Sequence, residues 1–138
     1  MKAYQLSIPT KVYFGRDILE DALAAQSSFF KGTIMIVTTG RSLIRLGHLD
    51  MLKERLKRQT SVNTIIIYDQ ISANPRLNEI MEGVELGKKE KADIVIGFGG
   101  GSALDAAKAI AVGMGHEESL EDFFYNRKEP TIKTLPIA

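Results

Sequence analysis

Three consecutive glycines, Gly99, Gly100 and Gly101, stand between an apolar strand-like segment (Ile94, Val95, Ile96) and the small-residue start of a helix expected over residues 105–114. Glycines at a strand-to-helix turn leave backbone N–H groups bare. At a helix N-terminus such groups bind anions, and the helix dipole adds to the attraction. The chemistry predicted for this turn is the binding of a phosphate or pyrophosphate. Ser102 and Asp105 follow in S-x-x-D spacing, a helix-start pattern in which the serine oxygen caps an early helical N–H. Ser102 could cap the helix and still offer its hydroxyl to a phosphate oxygen. The competing reading is a turn needed only for packing, since Ala103, Ala106 and Ala107 let a helix sit close to a sheet. No Gly-Lys pair follows, so the G-x-x-x-x-G-K-[ST] phosphate loop is excluded. The dinucleotide pattern G-x-G-x-x-G fits loosely, with Ser102 in the last glycine's place.

Two further loops follow strands. Thr39, Gly40, Arg41 and Ser42 come after the apolar run 33–38. In dinucleotide enzymes an acidic side chain near such a strand end takes the ribose 2′-hydroxyl, and an arginine accommodates a 2′-phosphate. No Asp or Glu lies between Lys31 and Asp50, and Arg41 offers a planar fork suited to phosphate. Arg41 is either an ordinary solvated cation or part of a pocket for NADPH; its position after the strand tips the expectation to NADPH over NADH. The third loop, 69–75, ends in Asn74-Pro75. The proline holds Asn74 extended, either to shape a turn or to present its amide to a ligand.

No catalytic or metal-binding residue is expected in this chain. His48 and His116 are its only histidines, far apart and outside any metal-ligand spacing, and cysteine is absent. The chain of 138 residues is 44% hydrophobic and 25% charged, which suits one soluble globular domain with a real core. A net charge of +1 gives no basic surplus for nucleic acid or anionic membrane. The apolar runs are strand-sized, too short to span a bilayer, and no signal-peptide core follows Met1. A cytoplasmic protein is the resulting expectation.

The elements that would position these loops alternate regularly. Residues 4–8 and 11–14, joined at Pro9-Thr10, read as an N-terminal β-hairpin or a pair of edge strands. Residues 16–25 carry Ile18, Leu19, Ala22 and Leu23 on one helical face. Residues 33–38, 62–68 and 93–97 are buried-type strands. Leu49, Leu52 and Leu56 mark one intervening helix. Leu77, Ile80, Met81 and Val84 mark the other, expected to fray through Gly87. This alternation predicts an α/β fold: a Rossmann-like parallel sheet flanked by helices, with ligands beyond the carboxyl ends of the strands.

Four pieces in order resemble the iron-containing (group III) alcohol dehydrogenases. Ile8-Pro9-Thr10-Lys11-Val12-Tyr13-Phe14-Gly15 is similar to that family's N-terminal hairpin and glycine. Ile36-Val37-Thr38-Thr39-Gly40-Arg41-Ser42 is similar to its first strand and adenosine-side loop. Asn74-Pro75 is similar to its Asn-Pro turn, and Gly99-Gly100-Gly101-Ser102-Ala103-Leu104-Asp105 to its GGGSxxD motif. The resemblance implies that residues 1–138 form an NAD(P)-binding α/β domain. It implies a following helical domain, absent here, whose aspartate and three histidines hold Fe(II) or zinc. Hydride would pass between NAD(P)H and a primary alcohol or aldehyde, in the manner of the butanol dehydrogenases. By position, Gly99, Gly100, Gly101 and Ser102 would bind pyrophosphate, Asn74 would contact the cofactor, and Asp105 would face the ribose and nicotinamide. Thr39 or Gly40 stands where NAD-preferring members often place an aspartate. The implied fragment would lack the metal and the activity. Two alternatives stand beside this reading: a relative of the same fold (a glycerol dehydrogenase or dehydroquinate synthase type), and a non-catalytic nucleotide-binding or assembly module that forms a homo-dimer through exposed apolar surface.

Overall fold

A computed structural model describes residues 10–39, 41–127, 129–131 and 133–138. Its elements are α1 (Leu19–Ala25), β1 (Lys31–Thr39), α2 (Ser42–Arg45), α3 (His48–Gln59), β2 (Ser61–Ile71), α4 (Leu77–Lys89), β3 (Ile94–Phe98), α5 (Gly101–Gly115) and α6 (Leu120–Phe124). The three strands form a parallel sheet in the order β2-β1-β3.

The central place of β1 follows from its sequence. Ile34, Met35, Ile36, Val37 and Thr38 have no exposure at all, which only a strand covered on both faces can achieve. Met35 and Val37 pack with Tyr68, Ile80, Val84, Val95 and Ile110 on one face. Ile34 and Ile36 pack with Leu23, Leu49, Leu52, Leu56 and Ile96 on the other. A fully buried side chain such as Leu56 stabilises the fold by about 1.5–3 kcal/mol.

The helices divide between the faces by the spacing of their small and apolar residues. Leu49, Leu52 and Leu56 turn one stripe of α3 to the Ile34–Ile36 side. Ile80, Gly83, Val84 and Gly87 turn α4 to the other. The expected fraying at Gly87 does not occur. The helix runs on to Lys89 because Gly87 is the point where α4 meets its neighbours: a Cβ there would lie 2.4 Å from Met114 Sδ and 3.1 Å from Met35 Sδ. Ala103, Ala106, Ala107 and Ala111 are fully buried, so α5 approaches the sheet closely.

The strands differ from the expected ones at residues 11–14 and at the end of β2. Residues 11–14 form no strand, and Phe14 is 98% exposed; the other half of the expected hairpin, residues 4–8, lies outside the described residues. β2 runs to Ile71, so three residues of the expected third loop, Asp69, Gln70 and Ile71, belong to the sheet. It reaches that length through register shifts opposite Gly32/Thr33 and Val37/Thr39. At the other edge Ile137 forms an isolated parallel bridge with Val95, and Gly97 N–H donates to Ala138 O at 2.9 Å.

Candidate dinucleotide site

The connection from β1 to β2 passes over the α3 face, and that from β2 to β3 passes over the α4 face in the opposite direction across the sheet. Two such crossovers have the same hand. At their carboxyl ends, neighbouring β1 and β3 therefore send the chain to opposite faces: β1 to α2 and α3, β3 to α5. A crevice opens where the two paths diverge, the position at which open α/β sheets bind ligands. Here it is a cleft of about 560 Å³ lined by Thr39, Ser42 and Leu43 on the β1 side and Gly97, Phe98, Gly99 and Gly100 on the β3 side.

The glycines of the turn serve two purposes. A Cβ on Gly97 would meet Leu104 Cα at 3.0 Å and Ala107 Cβ at 3.1 Å, so this glycine lets α5 close onto β3. Gly99 has φ +148, a region only glycine occupies readily, and its Cβ would lie 3.2 Å from Ala103. Gly100 and Gly101 differ. A Cβ on either would meet nothing within 4 Å, and Gly100 has φ −82, which any residue adopts. Helix α5 opens at Gly101 without a side-chain cap. Among the described residues no acceptor takes the N–H of Gly101 or Ser102. The helix start is thus an uncapped set of donors in open space, the arrangement an anion neutralises.

Two expectations for this turn are corrected. The helix begins at Gly101, not Asp105, and Gly100 is its cap residue, so Ser102 stands inside the first turn and cannot cap it. Its hydroxyl instead donates to the carbonyl of Ala73. Asp105 has no part in a capping pair: its carboxylate accepts from Lys108 Nζ at 3.1 Å, one turn further along. Asp105 lines not the cleft but an apolar groove on the flank of α5, with Val112, Leu120, Phe123 and Phe124.

The other predicted residues fall around the cleft. Thr39 and Ser42 line it. Arg41 is exposed at the start of α2, and Gly40 lies outside the described residues. Asn74 is exposed next to Ala73, and so is held beside the turn by Ser102. Leu43 and Phe98, which also line the cleft, carry no chemistry that a pattern search would single out.

Behind Asn74 lies a network with no sequence motif. Glu79 Oε2 accepts from Ser72 N–H at 3.2 Å, Arg76 N–H at 3.1 Å and Ser72 Oγ at 3.0 Å. The Arg76 and Ser72 amides hold the Glu79 carboxyl below its ordinary range. Tyr68 OH donates to the Glu79 carbonyl at 2.5 Å. Burial, with Glu82 and Glu79 nearby, pushes the Tyr68 hydroxyl up to about 12.

The family model of iron-containing alcohol dehydrogenases matches residues 9–138, the turn, the cleft and the whole sheet included. This chain belongs to that family. It is 33% identical over its whole length to NADH-dependent butanol dehydrogenase A of Clostridium acetobutylicum, covering 34% of that protein. It is 37% identical over 76% of its length to alcohol dehydrogenase 4 of Schizosaccharomyces pombe, covering 24% of it. The crystal structure of NADH-dependent butanol dehydrogenase A from Thermotoga maritima superposes with a TM-score of 0.84 at 30% identity, over 99% of this chain and 34% of that one. The match thus spans about a quarter to a third of these relatives' length.

The family's iron does not fit the residues described here. No group of three or more His, Asp or Glu side chains among them is arranged to hold a metal. His48 is exposed at the start of α3. Buried His116 has both ring nitrogens engaged: Thr131 N–H donates to Nε2 at 3.1 Å, and Nδ1 lies 2.8 Å from the Val112 carbonyl. No chemical step is therefore assigned to a metal. Nor is any described helix long and apolar enough to cross a membrane.

Proposed function

We propose that the cleft between β1 and β3 holds the pyrophosphate of a nicotinamide dinucleotide. In this reading residues 1–138 are the cofactor-binding domain of an alcohol dehydrogenase that moves hydride between NADH and a primary alcohol or its aldehyde. The observation that carries the reading is that Gly100 and Gly101 have no intramolecular reason to be glycine. A ligand that must touch the backbone supplies one. The dipole and free N–H groups of α5 favour each anionic contact by about 0.3–1 kcal/mol, and up to about 2 when partly buried.

The nicotinamide, when bound, supplies the hydride chemistry. The chain's own residues bind and orient. Gly99, Gly100, Gly101 and the Ser102 N–H take the pyrophosphate; Thr39, Gly40, Arg41 and Ser42 take the adenosine side; Asn74 contacts the cofactor from the opposite rim. Asp105, on the flank of α5 outside the cleft, is assigned to the ribose and nicotinamide, which extend beyond the pyrophosphate; Lys108 engages only its Oδ1. Relatives named as NADH-dependent support NADH, against the preference for NADPH drawn from Arg41. This polypeptide by itself is proposed to bind cofactor without turning over alcohol.

Calorimetric titration with NADH and, separately, NADPH tests the assignment. Saturable binding with NADH the tighter ligand is expected. Tighter NADPH would give Arg41 the 2′-phosphate role, and no saturable binding of either would remove the cleft as a cofactor site. Self-association is a second reading, since Val12 and Phe14 are 81% and 98% exposed. A strict monomer by light scattering at all concentrations would end it.

A further inference from the structure

We propose that Ser102 and Glu79 are positioning residues for the dinucleotide, acting through the loop at residues 72–76 rather than by touching the cofactor. The inference rests on the cofactor reading above and assigns these two side chains a part in it.

The loop carries Asn74 and belongs to no helix or strand, so its place must be fixed by side chains. Two anchors do this from opposite ends. Glu79, in the first turn of α4, draws the loop around one carboxylate oxygen by accepting from the amides on both sides of Asn74, Ser72 at 3.2 Å and Arg76 at 3.1 Å. Ser72 Oγ, 3.0 Å from that oxygen and 2.8 Å from the Asn74 carbonyl, has one proton to divide between them. This anchor sets the shape of the loop but ties it only to α4.

Ser102 ties it to the site. Its hydroxyl donates to the carbonyl of Ala73, the residue before Asn74, across 29 positions of sequence. Ser102 stands in the first turn of α5, so its backbone N–H remains for the anion while its side chain faces the other rim. Glycine turn and Asn74 loop become one preformed surface. The β1 rim also comes close to the turn, with Leu43 Cδ1 and Thr39 Oγ1 3.6 and 3.7 Å from where a Gly99 Cβ would stand, but among the described residues no side-chain hydrogen bond moors it there as Ser102 moors the loop. Preorganisation of this kind raises affinity by removing the ordering cost at the moment of binding.

A double-mutant cycle separates positioning from direct contact. Ser102→Ala is expected to weaken NADH binding about fivefold in the parent chain and less than about twofold in an Asn74→Ala background, because the loop then has nothing left to position. Ser102→Thr, which keeps the hydroxyl, is expected to restore parental binding. Equal losses in both backgrounds would mean that Ser102 Oγ contacts phosphate itself, and would overturn the proposal. Amide hydrogen exchange without ligand is the second readout. Ser102→Ala is expected to speed exchange at Ser72 and Arg76, whose donors it does not touch, with the α4 and α5 cores unchanged. Unaltered exchange there would overturn the mooring. A parent chain that fails to bind NADH would remove the cofactor reading, whereas the exchange result reports on the mooring by itself.

Discussion

A methyl group added at Gly97 would meet the Leu104 backbone at 3.0 Å, and one added at Gly100 or Gly101 would meet nothing within 4 Å. The same residue type, three or four positions apart, answers to different demands. Gly97 and Gly99 exist for the chain: they let α5 close on β3 and let the turn take a φ of +148. Gly100 and Gly101 leave space that the chain itself does not use. A glycine-rich turn is thus neither wholly packing nor wholly binding, and the two parts separate by what a side chain would hit.

The largest effect that could break this comparison is at Gly97. Gly97→Val forces branched carbon into the β3–α5 contact and is expected to cost about 2–3 kcal/mol by denaturant unfolding. A loss below about 0.5 kcal/mol would mean that α5 yields, and that Gly97 belongs with the open pair.

Next in size is Gly101→Ala, where the two measures should move in opposite directions. The fold is expected to gain about 0.5 kcal/mol, since alanine restricts the unfolded chain and nothing in the folded one resists it. NADH affinity is expected to fall about tenfold, or about 1.4 kcal/mol, from a methyl group set against the pyrophosphate. A variant both more stable and fully competent to bind would make Gly101 incidental.

Smaller effects sharpen the contrast between the rims. Tyr68→Phe removes the bond to the Glu79 carbonyl and is expected to cost about 1 kcal/mol at neutral pH. The raised Tyr68 value also sets a sign. The folded state favours the neutral phenol, so this stability is whole below pH 10 and is lost as pH rises toward about 12. The Phe variant should lack that alkaline loss in a pH series of thermal melts.

The least effect is expected from Glu79→Gln, which keeps an acceptor and removes the charge. The Glu79 carboxyl is held low by the Arg76 and Ser72 amides, so its contribution is present at neutral pH and disappears as pH falls through its depressed folded value. Melts of the Gln variant should be flatter than the parent's through the acid range. Parallel curves would show that the charge contributes nothing to the loop.

Legibility in the sequence followed the range of the interaction. β1 is plain because Ile34, Met35, Ile36 and Val37, four consecutive unexposed residues, are an unbroken apolar run. The α3 stripe was plain because Leu49, Leu52 and Leu56 share a helical face. The start of α5 was misplaced because S-x-x-D is a local pattern, whereas Ser102 is held by Ala73, 29 residues away. Gly87 misled for the same reason: its role is set by Met114 and Met35, which sequence spacing does not bring near. The cleft residues Thr39, Ser42, Gly99 and Gly100 were legible as loops after strands. Glu79 was not, because a carboxylate holding backbone amides looks like any other acid on a helix face.

The most direct test of the central claim is a map of backbone amide chemical shifts as NADH is added to the isotope-labelled chain. The account predicts saturable changes concentrated at Thr39, Ser42, Leu43 and Phe98 through Ala103, with the groove residues Val112, Leu120 and Phe123 left in place. Changes centred on that groove, or none at the glycine turn at saturation, would contradict it.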